Sequence, residues 1–294
     1  MTRSFRTIGA CGAVLLCLSA SAPALRAEPT SPTAPEPILK AVRSGQPGPV
    51  LNPDAPAWKA AREITVPMQP QTVTTPMNPA AAIDQVRVRA LHDGQWLSLR
   101  IEWKDATRSD VLGTDSFGDQ VAVEFPLDSR AGELPSPMMG NHGGRVNILQ
   151  WRAALQKDLD DKAGPSVHAL YPNAVIDQYP DQILAAADAR PYQGALAVGN
   201  PVSRAQASPV LDQVAEGWGT LTVKSEQHAR GRGAWKDGTW KVVIAVPMAG
   251  SDQSSPHLAP GAKTWLAFAA WDGGQREVGA RKSWSYWVPF ELTR

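Results

Sequence analysis

Alternation by twos governs this chain more than any other feature of its sequence. Leu97, Leu99, Ile101 and Trp103 alternate with Ser98, Arg100 and Glu102, and a run of that period buries one face only as a β-strand. The turn His92-Asp93-Gly94-Gln95 precedes it, with Val86 and Val88 before the turn. Asp-Gly tolerates positive φ, so residues 86–103 read as a hairpin. The alternation recurs at Val121, Val123 and Phe125, and at Val146 and Ile148, with Leu149 and Trp151 on the other face. A second Asp-Gly hairpin, Trp235-Lys236-Asp237-Gly238-Thr239-Trp240, runs into Val242, Ile244 and Val246, and further strands span Trp265 to Trp271 and Trp284 to Leu292. Short runs punctuated by 26 prolines and 24 glycines predict an all-β fold, an antiparallel β-sandwich with long loops and a few short helices. The helices expected are Trp151 to Lys162 and Asp181 to Ala189.

The first 27 residues read as a signal peptide. Arg3 and Arg6 supply a basic start, Ile8 to Leu18 an uncharged apolar stretch, and a small-residue segment ends at Ala27. That stretch falls short of the roughly 20 apolar residues needed to span a bilayer, so the expectation is export to the periplasm with no membrane span. Residues 28–49 read as a Pro-rich linker, on the strength of the string EPTSPTAPEP, and 50–294 as one folded domain. Both cysteines, Cys11 and Cys17, fall within the signal. The rest therefore has no thiol for disulfides, iron–sulfur clusters or covalent haem attachment. Three of the 29 basic residues (Arg3, Arg6 and Arg26) leave with it, so 26 remain against 28 acidic ones. That balance argues against nucleic acid, whose recognition needs a basic face.

Hydrolytic chemistry finds no support: there is no Gly-x-Ser-x-Gly elbow, and Glu102 and Glu124 stand at outward strand positions that read as a solvated face. The five histidines show no metal-ligand spacing. Four read as surface residues; His142, three residues from Met139, is a candidate cofactor contact. Residues 126–220 carry little strand pattern but specific, turn-rich strings such as Pro135-Ser136-Pro137-Met138-Met139-Gly140, the character of an ordered loop region lining a site. Eleven tryptophans fit either a sandwich core or an exposed row that stacks on sugars, as in carbohydrate-binding modules, whose architecture and the immunoglobulin-like one both suit the strand pattern. A secreted carbohydrate-binding module without cofactor is thus an alternative reading.

An ordered set of strings goes further. Leu51-Asn52-Pro53-Asp54-Ala55-Pro56-Ala57-Trp58, Val86 to Gly94, Leu99 to Asp105, Met138-Met139-Gly140, Val146-Asn147-Ile148 and Gly199-Asn200-Pro201 form its first part. Glu216 to Leu221, Gly231 to Trp235, Ala270-Trp271-Asp272-Gly273-Gly274 and Gly279-Ala280-Arg281-Lys282-Ser283 complete it. In this order they resemble the haem b-binding gamma subunits of the ethylbenzene dehydrogenase family, which serve type II dimethyl-sulfoxide-reductase molybdoenzymes, over roughly residues 50–294. The resemblance implies a non-catalytic electron-transfer subunit with one b-type haem held between a methionine and a lysine. Carried onto this chain, the pair becomes Met139, which adjoins Gly140, and Lys282, with Met138 as the rival methionine and Arg281 facing the propionates. It also implies partners: an iron–sulfur beta subunit, a molybdenum-cofactor alpha subunit and a soluble periplasmic cytochrome. A thioether favours ferrous iron, and a lysine amine binds iron only once deprotonated.

Overall fold

The computed structural model describes residues 37–128, 133–162, 173, 195, 198–203 and 206–294. In chain order the elements are β1 (Leu39–Arg43), β2 (Ile64–Pro67), β3 (Gln69–Pro70), β4 (Gln85–His92), β5 (Trp96–Lys104), β6 (Gln120–Pro126), β7 (Val146–Arg152), α1 (Ala153–Asp161), β8 (Val210–Ala215), β9 (Thr222–Val223), β10 (Arg230–Trp235), β11 (Thr239–Pro247), β12 (Lys263–Trp271), β13 (Ser283–Trp284) and β14 (Val288–Leu292). Among the described residues no helix is long and apolar enough to cross a membrane.

Two layers form the sandwich. The first runs β10-β11-β5-β4-β1-β14, and the second β12-β6-β7-β8-β9, with β13 on the free side of β12. β12 belongs to both: Lys263 to Leu266 pair with β14, and Ala267 to Trp271 pair with β6. The hairpins expected at Asp93-Gly94 and Asp237-Gly238 connect β4 to β5 and β10 to β11. In the second of them both turn residues have positive φ, 50° and 69°, the twist that matches two antiparallel strands. In the first, Asp93 Oδ1 accepts from the N–H groups of Gln95 and Trp96 at 2.8 and 2.6 Å.

The core lies between the layers. Trp103 of β5 and Trp240 of β11 stack at 6.2 Å, and Trp151 of β7 meets them edge-on at 6.5 and 5.0 Å from the opposite layer. Leu99, Ile101, Val121, Val123, Phe125 and Leu149 fill the space around them, each worth about 1.5–3 kcal/mol of burial. Of the eleven tryptophans Trp218 alone is exposed, so the aromatic content serves packing and no exposed row is formed.

Several expectations need correcting. Leu39–Arg43 is a strand seated between β4 and β14 and parallel to both, so the sandwich begins inside the stretch read as a linker over 28–49 and is not purely antiparallel. Only Leu39 and Ala41 point inward there, too short an alternation to stand out among the prolines. Trp151 and Arg152 end β7, and the helix starts at Ala153. The helix expected over Asp181 to Ala189, like His168, lies outside the described residues. β8 has no counterpart among the expected strands, and the run Trp284 to Leu292 divides into β13 and β14. His92 and Glu102 are buried rather than solvated; Glu102 sits in an ion-pair cluster with Arg87 and Arg100 on the outer side of β4 and β5.

Candidate functional site

Period two gives the second layer an outer face as well as an inner one. Val121, Val123 and Phe125 of β6 and Leu149 and Trp151 of β7 face the core. Their alternates, Ala122 and Glu124, then Ile148, Gln150 and Arg152, face the other way. That outer face is roofed. Ala122, Val146, Ile148, Ala215 and Trp271 make a second apolar cluster there, with Met139 packed against it. The roof leaves a cleft of about 670 Å³, within the roughly 300–1,000 Å³ of small-molecule and cofactor sites. A smaller hollow adjoins it, lined by Met139, Lys282, Glu124 and Trp284 among others.

Three loops from distant parts of the chain build the roof. In the loop after β6, Gly140 donates to Ser136 O at 2.9 Å and Asn141 pairs with Gly144. Met139 itself has a φ of 71°, an uncommon conformation for a side-chain-bearing residue that surrounding contacts must hold in place. They do: its N–H donates to Glu124 Oε2 at 3.2 Å, and its carbonyl accepts from Gly217 N at 2.7 Å. Trp218 Nε1 donates to Met138 O at 3.1 Å, tying the second loop to the first. The third loop precedes β13. Trp271 Nε1 donates to Gly279 O at 3.0 Å and Gln71 Nε2 to Ala280 O at 3.1 Å, while Ser283 pairs with Ala270 of β12. Lys282 is thereby placed against the sheet, its Nζ 5.5 Å from the centre of the Trp271 ring.

Met139 and Lys282 thus line one cleft, and Met138 lines it too. Only Met139 of the two methionines also reaches the smaller hollow with Lys282. Burial lowers the Lys282 pKa, with the Glu124 charge opposing it. Burial likewise pushes the Glu124 carboxyl up to about 8, against the pull of Lys282 and the Met139 N–H. Glu124 Oε1 has no hydrogen-bond partner. The reading of Glu124 as a solvated residue is therefore corrected: it is outward from the core yet buried beneath the roof. Arg281 opens onto a separate depression lined also by Asp272 and Glu277, its Nε buried without a partner. His142 is exposed and does not line the cleft.

Two features escaped the sequence reading. Arg152 lines the cleft, half-buried, with its Nε unpartnered. Asp105, Asp119 and Asp272, which flank the ends of β5, β6 and β12, bring carboxylate oxygens within 4.8 Å of one another. Asp119 is already satisfied, accepting from Ser109 N, Trp240 Nε1 and Gly273 N at 2.7, 2.9 and 2.9 Å. The fit of the cleft to a haem rests on its own donors: a thioether and a desolvated amine open to one apolar space, the soft and nitrogen ligands that haem iron takes.

Comparison with known proteins bears on this site. The profile of the ethylbenzene dehydrogenase family matches residues 55–283. A protein of Haloferax mediterranei named as a respiratory nitrate reductase heme subunit is 24% identical over 98% of this chain and 84% of its own. The chlorate reductase subunit gamma of Ideonella dechloratans is 25% identical over 80% of this chain and 77% of its own. Among solved structures, a carbohydrate-binding protein of Bacteroides uniformis matches 87% of this chain and 97% of its own at 9% identity and a TM-score of 0.44. A family 9 carbohydrate-binding module of Caldicellulosiruptor kristjanssonii, in complex with glucose, matches 87% of this chain and 96% of its own at 9% identity and a TM-score of 0.40.

Proposed function

The chain belongs to the ethylbenzene dehydrogenase family, and on that premise we propose that it is a non-catalytic electron-transfer subunit of an oxidoreductase complex, binding one b-type haem in the cleft. Met139 and Lys282 hold the iron from the two loops. The group would supply a one-electron couple, with a potential that depends on the residues holding it and on their burial. The residues of this chain do the rest. The Met139 thioether, fixed by the Glu124 and Gly217 contacts, offers a soft ligand; Lys282, drawn out of water, offers an amine; the apolar floor of Ala122, Ile148 and Trp271 excludes solvent.

Two relatives named as a heme subunit and a gamma subunit of reductases support this reading. The single observation that carries it is the convergence of Met139 and Lys282, from loops far apart in sequence, on one cleft. In the same proposal the chain is exported to the periplasm. There it passes electrons between an iron–sulfur beta subunit, itself joined to a molybdenum-cofactor alpha subunit, and a soluble cytochrome. Substrate chemistry resides in the alpha subunit.

A visible spectrum of the purified full chain, made with ample haem, tests the reading. A Soret band that sharpens on reduction is expected, and Lys282→Ala and Met139→Ala should each change the spin state or lose haem. Wild-type spectra in both variants would remove the axial assignment. A folded, colourless wild-type protein that takes up no haem would overturn the function, the more so if it bound glycans.

A further inference from the structure

Charge on the cleft floor is unevenly compensated. Arg152 is the last residue of β7, opposite Gln120 on β6, and its side chain points away from the core into the cleft. One terminal nitrogen donates to Gln150 Oε1 at 2.9 Å, and that amide is already held by Gln213 and Gln120 at 3.0 and 2.7 Å. Its Nε is buried with no partner. Among the described residues no carboxylate pairs with the guanidinium. Asp119, on the same wall, spends its oxygens on three N–H groups. Burial lowers the Arg152 pKa, with no acidic neighbour to oppose it. A guanidinium taken from water without a counter-charge is costly, and a carboxylate presented to it recovers that cost in paired, charge-assisted hydrogen bonds.

The surroundings point to the same ligand chemistry. Helix α1 begins at the next residue with no side-chain cap, and Ala154 of its first turn lines the cleft. The Ala153 N–H is taken by Asp119 O at 3.0 Å, and the first-turn N–H groups beyond it add a positive field beside the guanidinium. Most of the remaining lining is apolar or amide, with Thr74, Ser116, Asp119 and Lys282 the exceptions. A ligand that suits this cleft is flat and apolar over most of its area and carries a carboxylate at the end that meets Arg152. Haem b has that chemistry in its propionates.

We infer that Arg152, rather than Arg281, is the anchor for a propionate of the haem, which orients the group in the cleft while Met139 and Lys282 hold its metal. This rests on the haem-binding reading above. Arg281 lines a separate depression with Asp272 and Glu277 and does not line the cleft, so it stands apart from a group held between Met139 and Lys282.

The test compares haemin with its dimethyl ester, in which both propionates are neutral, by titrating full-length wild type, Arg152→Gln, Arg152→Lys and Arg281→Gln in one detergent-containing buffer and following the Soret band. Wild type should bind haemin tighter than the ester on the order of tenfold, the scale of one charge-assisted pair. Arg152→Gln should bind the two alike, with an unchanged axial-ligand spectrum. Arg152→Lys should keep part of the preference, since it keeps the charge but not the fork, and Arg281→Gln should keep all of it. An Arg152→Gln protein with the wild-type preference would overturn the inference and leave the haem reading intact. So would loss of the preference in Arg281→Gln alone. A wild type that binds neither compound would overturn the haem reading itself.

Discussion

Gly140 shows how much of the site depends on single backbone positions. Its φ is 73°, and a Cβ there would stand 2.5 Å from Gly144 O. Gly140→Ala should therefore cost about 1–3 kcal/mol, the usual range for a residue forced into a sparsely populated conformation, with the loss concentrated in the loop that carries Met139. Denaturant unfolding combined with haem content measures it: haem content should fall more than global stability does, and an unchanged haem content would show that the loop does not need this turn. Met139 and Lys282, which line one cleft, were singled out only through the strings around them, because neither residue has a pattern of its own. Glu124, Gln150 and Arg152 were not legible at all. In an alternating strand the residues opposite the core read as facing water, and nothing local reveals that distant loops cover them. Glu216 to Leu221 did stand among the telling strings, and its Gly217 and Trp218 grip the methionine loop.

At the scale of elements, the hairpins and the central strands followed from alternation and Asp-Gly turns, whereas β8 did not. Its inward and outward positions include Asp212 and Gln213, both buried. They are satisfied by partners elsewhere: Asn147 and Lys224 reach Asp212 at 2.6 and 3.2 Å, and Gln213 donates to Gln150 at 3.0 Å. A strand whose burial is made tolerable by remote partners looks like a loop in sequence. The ends of β5, β6 and β12 meet at a similar concentration of polarity, Asp105, Asp119 and Asp272. Burial, and then the neighbouring Asp105, push the Asp119 carboxyl up to about 7. In the unfolded chain it titrates near 3.8, so the folded form holds its proton more tightly between these values. The associated stability is full below about pH 4 and is lost as pH rises through 7. The melting temperature should accordingly fall from pH 5 to pH 8. The loss is worth a few kcal/mol at most, because each tenfold difference in proton affinity between the folded and unfolded forms contributes about 1.4 kcal/mol. Asp105→Asn, which removes the nearest negative charge while sparing the three donors to Asp119, should flatten that fall. An equally steep slope in Asp105→Asn would dissociate Asp119 from the effect.

For the molecule as a whole, the two-layer class followed from the strand pattern, but its boundary did not. A chain cut to begin at Val50, as the composition suggests, lacks β1 and leaves the edges of β4 and β14 unpaired in the middle of the first layer. Leu39 and Ala41 are also lost from the core. Such a chain should show no cooperative melting transition under conditions where the intact protein has one, as read by calorimetry or circular dichroism. A truncated chain that melts like the intact protein would mean that β1 is an accessory.

The seat of β1 also sets the order in which the protein can be assembled. Synthesis delivers β1 long before β14, yet β14 supplies one of β1's two neighbours. Until β14 is available, the layer has a bare seam along a central strand, open to any extended segment that drifts against it. Maturation is therefore exposed to error while that seam stays open: folding of this topology should be slow, and a helper that shields the seam should raise the yield of native protein.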